Sequence, residues 1–413
     1  MRRWTITVTA CLVSALVFAA DETRLIDNMD DAAAWKSQQK GKGIDWAADP
    51  EPKEGKGAIR FDLKEGIFAI AYRQFKPDAS WNEYDGLAFR VKGDGSENFG
   101  CIRVQAGNYD KGWVGNFPLA DRNWHEVKLA WTDLVPTGAT LPELGSAEGF
   151  KPGNIDLLAF GKSWNFTPKH ERPALAFSVD DLRLVKGVKP GRRRLPVEEF
   201  MPVSEVVKKL KAGEPVTILA LGDSITWGTD AGGNAHAYPA VLGKMLAKHY
   251  RNDKVTVISR AIGGSTTAHG RQWLIRDVSG IQADVVTVMF GFNERPPADK
   301  RDEYSQAFVK TLVTYVEEAA GLMKVPPAVV FLASIPGKDK EWETLDCYAD
   351  AVRALGAKYR NVAVADVNGY FKKLGKDKYA GLMSGEAHPN VEGQKEMARV
   401  VFEAITGEKA SAE

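Results

Sequence analysis

Leu221-Gly222-Asp223-Ser224-Ile225-Thr226 sets a serine directly after a short apolar run at 216–221. A hydroxyl just past a parallel strand stands in the crevice where open α/β sheets bind ligands. Gly222 permits the tight turn this requires. The segment is not a Gly-x-Ser-x-Gly elbow, because Thr226 occupies the second glycine's place. A second apolar run at 255–259 leads into Ala261-Ile262-Gly263-Gly264-Ser265-Thr266, and a third at 285–289 into Gly291-Phe292-Asn293-Glu294. Glycines at a strand end leave N–H groups open to an anion, and an asparagine there can aim a side-chain N–H at the same edge. Taken singly, each has a plainer reading: a helix cap at Asp223-Ser224, a tight turn at Gly263-Gly264, a turn residue at Asn293. Taken together, they supply a nucleophile and donors for a developing oxyanion after three successive strands.

Such chemistry also needs a base. Four histidines fall in this half: His236, His249, His269 and His388. His388 lies in Ser384-Gly385-Glu386-Ala387-His388-Pro389-Asn390, a loop that leads into a closing helix and can reach Ser224. His249 ends an amphipathic helix, where charge–dipole stabilisation is sufficient reason for it. His236 and His269 read as pocket lining in loops after the first and second strands. No metal-ligand spacing such as HExxH appears.

Two kinds of element position these residues. From 24 to 186 apolar and polar residues alternate with period two, as in Ile59, Phe61, Leu63 and in Leu87, Phe89, Val91, the mark of half-buried strands. Several such strands between glycine-rich turns predict an all-β sandwich or jelly roll. Residues 187–213 read as a connector with Arg192, Arg193 and Arg194 solvated. From 214 to 408 apolar runs at 216–221, 255–259, 285–289, 328–333 and 362–366 are interspersed with helical segments near 238–250, 304–323, 345–359 and 391–405. That alternation predicts a parallel sheet covered by helices.

The segments around Ser224, Gly264, Asn293 and His388 resemble blocks I, II, III and V of the SGNH (GDSL-type) hydrolases, over about residues 215–408. The resemblance implies a three-layer α/β/α domain with Ser224 as nucleophile and His388 as base. It also implies an oxyanion hole made by the Ser224 amide, the Gly264 amide and the Asn293 side chain. Two departures stand out. The family usually carries an acid three residues before the histidine; here that residue is Gly385, and Glu386 is the nearest carboxylate. Glu294 stands where an aspartate often follows the asparagine. The expectation is a Ser224–His388 dyad held by a non-carboxylate group, in preference to a triad completed by Glu386.

The first domain is similar to carbohydrate-binding jelly-roll modules. Seven tryptophans lie between 35 and 164: Trp35, Trp46, Trp81, Trp113, Trp124, Trp131 and Trp164. Most are expected in the core, with two or three exposed. Asp27, Asp180 and Asp181 read as turn carboxylates in preference to a calcium site. A jelly roll followed by an SGNH domain resembles the family 2 carbohydrate esterases, which deacetylate plant polysaccharides and often lack the triad acid. The resemblance implies an acetylesterase for acetylated polysaccharide or oligosaccharide, with no cofactor and no metal. The alternatives are an SGNH esterase for another acyl group or glycan, such as peptidoglycan O-acetyl or a short lipid ester, and an inactive glycan-binding protein.

Composition agrees with two folded domains. The chain has 413 residues, more than one core usually holds, with 44% hydrophobic and 26% charged residues. The 55 basic and 54 acidic residues leave a formal charge of +1, which gives no electrostatic case for a nucleic-acid partner. The three cysteines, Cys11, Cys101 and Cys347, offer neither a disulfide scaffold nor a CxxC zinc pair. Residues 1–20 read as a signal peptide: Arg2 and Arg3, an apolar run from Trp4 to Phe18, then Ala19-Ala20 as the cleavage site. Val8-Thr9-Ala10-Cys11 is similar to a lipoprotein box, but most of the apolar run follows the cysteine. The run is short of the roughly 20 residues that span a bilayer, and the expected location is secreted or periplasmic.

Overall fold

A computed structural model of the chain describes residues 22–107, 111–137, 143–146, 149–167, 169 and 171–410. The expected leader, residues 1–20, lies outside the described residues. Among the described residues, eleven strands build an antiparallel sandwich: β1 (Thr23–Asp27), β2 (Ile44–Asp49), β3 (Ala58–Leu63), β4 (Ala69–Gln74), β5 (Gly86–Gly93), β6 (Phe99–Gln105), β7 (Gly112–Pro118), β8 (His125–Ala130), β9 (Val135–Pro136), β10 (Leu157–Lys162) and β11 (Leu175–Val185). One sheet runs β2-β3-β11-β5-β8 with β1 on β11, and the other runs β4-β10-β6-β7-β9. In β3, Ile59, Phe61 and Leu63 point into the core while Arg60 and Asp62 face out. Phe61, Phe89, Phe117, Phe160 and Phe177 interlock between the sheets at centroid separations of 5.2 to 6.3 Å. Edge-on and tilted ring pairs of this kind add to the area they bury.

The tryptophans divide sharply. Trp35, Trp81, Trp113 and Trp131 are buried. Trp46 and Trp124 are part-exposed, but Lys40 and Lys92 lie over their rings at 4.4 and 5.2 Å. The seventh, Trp164, faces the second domain. Asp27 is paired with Arg73 and Asp181 with Arg183, while Asp180 accepts the Lys53 and Glu54 N–H groups. Among the described residues no group of three His, Cys, Asp or Glu could hold a metal ion.

The second domain is an α/β/α layer structure. Its sheet comprises β12 (Val216–Gly222), β13 (Val255–Ser259), β14 (Val285–Met289), β15 (Ala328–Leu332) and β16 (Ala363–Ala365), all parallel, in the order β13-β12-β14-β15-β16. The helices are α1 (Val203–Lys211), α2 (Ser224–Trp227), α3 (Tyr238–Tyr250), α4 (Thr267–Val278), α5 (Arg301–Gly321), α6 (Asp346–Lys358), α7 (Val367–Leu374), α8 (Lys376–Gly381) and α9 (Val391–Thr406). Strands β14 and β15 are buried at every residue, as central strands covered on both faces must be. The chain leaves β12 toward β13 on one side and returns to β14 on the other. The carboxyl end of β12 is therefore the topological switch point, where such sheets open a ligand crevice. No helix among the described residues is long and apolar enough to cross a membrane.

The connector differs from its sequence reading. Arg192 is not solvated: its side chain is 7% exposed and its guanidinium lies 3.1 Å from Glu318 on α5. Its own N–H and that of Gly191 donate to buried Asp133 of the first domain. Arg271 on α4 pairs with Glu318 at 2.7 Å and with Glu143 of the first domain at 2.9 Å. Arg194 joins the same group through Glu143 at 3.4 Å, and Arg193 remains exposed. A spacer that feeds an arginine into a buried ion cluster fixes the domains to each other, since breaking such a pair typically costs about 3–5 kcal/mol.

Candidate active site

β12 delivers Ser224 through a turn that only glycine can make. A Cβ on Gly222 would lie 2.2 Å from Thr226 Oγ1 and 2.7 Å from the Met289 carbonyl. Asp223 then caps α2, its carboxylate accepting the Ile225 N–H at 2.9 Å. Complete burial, with the nearby Glu294 charge adding to it, pushes the Asp223 carboxyl up to about 7. α2 lasts one turn. Gly228 ends it in the left-handed region at φ 85°, where a Cβ would meet the Gly233 carbonyl at 2.6 Å. Its N–H and that of Thr229 donate back to the Ser224 carbonyl.

This reversal brings up a carboxylate that sequence reasoning missed. Asp230 sits in the left-handed region at φ 64°, and its Oδ2 is 2.8 Å from His388 Nδ1. On the other side of the imidazole, Nε2 is 2.9 Å from Ser224 Oγ. A carboxylate can only accept, so Nδ1 carries the proton and Nε2 faces the serine hydroxyl as an acceptor. The expected dyad with a non-carboxylate orienter is thus corrected: an acid does hold His388, and it comes from the serine's own segment. Glu386 is not that acid. Its side chain is 75% exposed and lies 3.5 Å from Lys338 Nζ. The position two residues before His388 turns it away, while the Ser384 N–H donates to the His388 carbonyl and closes the loop. Ser384 Oγ donates to the Asp230 carbonyl at 3.2 Å, tying the two loops together. The only sequence signal for Asp230 was Thr229-Asp230-Ala231-Gly232-Gly233, an acid leading a turn-forming pair of glycines.

The other two strand-end loops close against Ser224. The Ile262 N–H donates to the Gly222 carbonyl at 3.0 Å. Gly264 follows with φ 70°, and among the described residues neither its N–H nor that of Ser224 donates to another group. Asn293 Nδ2 donates to the Ser265 carbonyl at 2.9 Å and lies 3.4 Å from Asp223 Oδ2, a long contact that leaves one N–H nearly uncommitted. Glu294 is a brace. Its carboxylate accepts from the Thr267 N–H and Oγ1 and from the Gly291 N–H, at 2.5, 2.8 and 3.0 Å. Burial raises its pKa, against the pull of these donors.

His269 lies in the first turn of α4, not in a loop. Its Nδ1 accepts the Thr266 N–H at 3.1 Å, and burial lowers its pKa to about 4, so the ring is neutral. His236 is exposed near Gly232, and His249 pairs with Glu408 at 2.8 Å.

The fold and this arrangement define a class that sequence comparison also finds. Residues 220–396 match the GDSL-like Lipase/Acylhydrolase family, and residues 54–165 match the Complex I intermediate-associated protein 30 (CIA30) family. The chain therefore contains an SGNH/GDSL-like hydrolase domain preceded by a separate β-sheet domain. Among particular proteins, it shares 28% identity over 178 residues with a mannan endo-1,4-β-mannosidase of Bifidobacterium adolescentis. That match covers 41% of this chain and 17% of the relative's length. An acetylxylan esterase from Geobacillus stearothermophilus superposes with a TM-score of 0.39 at 23% identity, over 48% of this chain and 97% of that one. A family 11 carbohydrate-binding module from Clostridium thermocellum superposes with a TM-score of 0.32 at 15% identity, over 41% of this chain and 99% of that one.

Proposed function

We propose that the chain is an exported serine esterase that removes acetyl groups from polysaccharide or oligosaccharide through an acyl-enzyme. The observation that carries this reading is the continuous relay from Asp230 through His388 to Ser224, with 2.8 and 2.9 Å contacts. His388 Nε2 takes the hydroxyl proton as Ser224 Oγ attacks the ester carbonyl. The imidazolium that forms faces the Asp230 carboxylate, which stabilises it. The Ser224 and Gly264 N–H groups and Asn293 Nδ2 receive the oxyanion. His388 passes its proton to the departing sugar hydroxyl. It then deprotonates a water that attacks the acyl-enzyme carbonyl, and the carboxylic acid leaves as Ser224 regains its proton. Every step is proton and acyl transfer, and this chain's side chains supply each of them.

A carbohydrate ester as substrate is supported by the resemblance to family 2 carbohydrate esterases. A relative bearing the name mannan endo-1,4-β-mannosidase fits the same polysaccharide setting. The test is turnover of 4-nitrophenyl acetate, followed by assays for acetate released from acetylated xylan, mannan and pectin. Release from one polymer, lost in Ser224→Ala, is the expected result. Inertness toward every ester by the folded protein would overturn the reading.

A further inference from the structure

Trp164 belongs to the first domain yet ends beside an oxyanion donor of the second. Its backbone is left-handed at φ 48°, a conformation costly for a bulky residue. Bonds to both domains hold it there. The Asn165 N–H donates to the Ile67 carbonyl at 2.8 Å, inside the sandwich. From α4, Trp273 Nε1 donates to the Trp164 carbonyl at 2.8 Å and Gln272 Nε2 to the Ser163 carbonyl at 2.6 Å. The indole lies flat on His269, with centroids 4.3 Å apart and planes 8° from parallel. A Cβ on Gly264 would lie 3.2 Å from Trp164 Cζ2, so the ring edge abuts the backbone of that glycine. Beneath the stack, His269 accepts the Thr266 N–H. Beyond it, Asn293 Nδ2 holds the Ser265 carbonyl.

The segment from Gly264 to Thr266 is thus wedged between a Trp–His stack and Asn293. The indole N–H is buried with no partner among the described residues, so packing, not a hydrogen bond, fixes the ring. One indole face is also taken by His269, which leaves less of the ring for a sugar than an open binding platform offers.

We propose that Trp164 is a positioning residue donated by the first domain, which holds the Gly264 N–H where the oxyanion forms. The inference rests on the esterase reading and gives the first domain a role in the chemical step. Displacing a group by about 1 Å in such a site can cost roughly 10²-fold. In the full chain, Trp164→Ala is expected to lower kcat for 4-nitrophenyl acetate by about 10–100-fold with KM within about twofold. Trp164→Phe, which keeps a flat ring on His269, is expected to stay within about threefold of the parent, a ratio worth little free energy. Trp164→Ala combined with Asn293→Ala should lose less than the product of the two single losses, because both act on one hole. Trp164→Leu fills the space without stacking and carries the same expectation if the alanine variant does not fold. A parent-like kcat in the alanine or leucine variant overturns the proposal, as does a loss confined to KM. So does a phenylalanine variant as impaired as the alanine one. A parent protein without esterase activity would instead overturn the esterase reading, so the two failures are distinguishable.

Discussion

Two loops meet at Ser224, and they carry their carboxylates to different ends. The loop after β12 winds back on itself through Gly228, Asp230 and Gly233, all in the left-handed region, and points Asp230 at His388. The loop before α9 supplies the histidine, but its own acid, Glu386, runs out to solvent and Lys338. A carboxylate two residues from a histidine in sequence is no closer to the ring than the backbone turn allows. One 158 residues away reaches Nδ1 because a short helix and a reversal bring it there. Proximity along the chain was the weaker guide, and backbone handedness the stronger one.

The sharpest way to break this contrast is to remove what both loops serve. Ser224→Ala is expected to cost at least about 10⁴ in kcat toward 4-nitrophenyl acetate while thermal unfolding stays unchanged. Near-normal turnover by that folded variant would dissolve the comparison altogether. Asp230→Asn comes next. It keeps the shape but removes the charge that favours the imidazolium, and a loss of about 10³–10⁴ in kcat is expected, as for acids in comparable triads. A loss below tenfold would return the site to a dyad. Asn293→Ala tests the oxyanion side with no change to either loop. Its expected loss is about 10²–10³ in kcat with little change in KM, and a purely KM effect would recast Asn293 as a substrate contact. The smallest effect belongs to Glu386→Gln, expected within about threefold of the parent because an exposed ion pair contributes little. A hundredfold loss there would mean that the two carboxylates trade places when substrate binds.

Much of the architecture was legible. Period-two strands such as β3 and buried apolar strands such as β14 write their environment into local sequence, and the glycines at 222 and 264 mark where backbone must pass closely. α4 was not legible, for a physical reason. Arg271 and Gln272 are buried on it beside Trp273 and Leu274, because one of its faces meets another domain through polar contacts. Periodicity analysis assumes water on the polar side of a helix, and α4 has little there. Arg192 escaped for the same reason: a run of arginines reads as solvated until a buried glutamate 126 residues away accounts for one of them. Asp230 was hidden differently, because a left-handed aspartate leaves no periodic trace, and the family's usual spacing directed attention to the histidine loop.

The ion cluster at the connector also bears on how such proteins are assembled from parts. Glu143 and Asp133 come from the sandwich, Arg192 and Arg194 from the connector, and Arg271 and Glu318 from the hydrolase domain. Cut the chain between the sandwich and the connector, and three guanidiniums, those of Arg192, Arg194 and Arg271, are left with Glu318 as the one carboxylate of the group. A boundary drawn by secondary structure is here no boundary in energy. For recombination, whether by evolution or at the bench, the portable unit is the pair of domains with its connector, and a sandwich transplanted without α4 arrives with half of a lock.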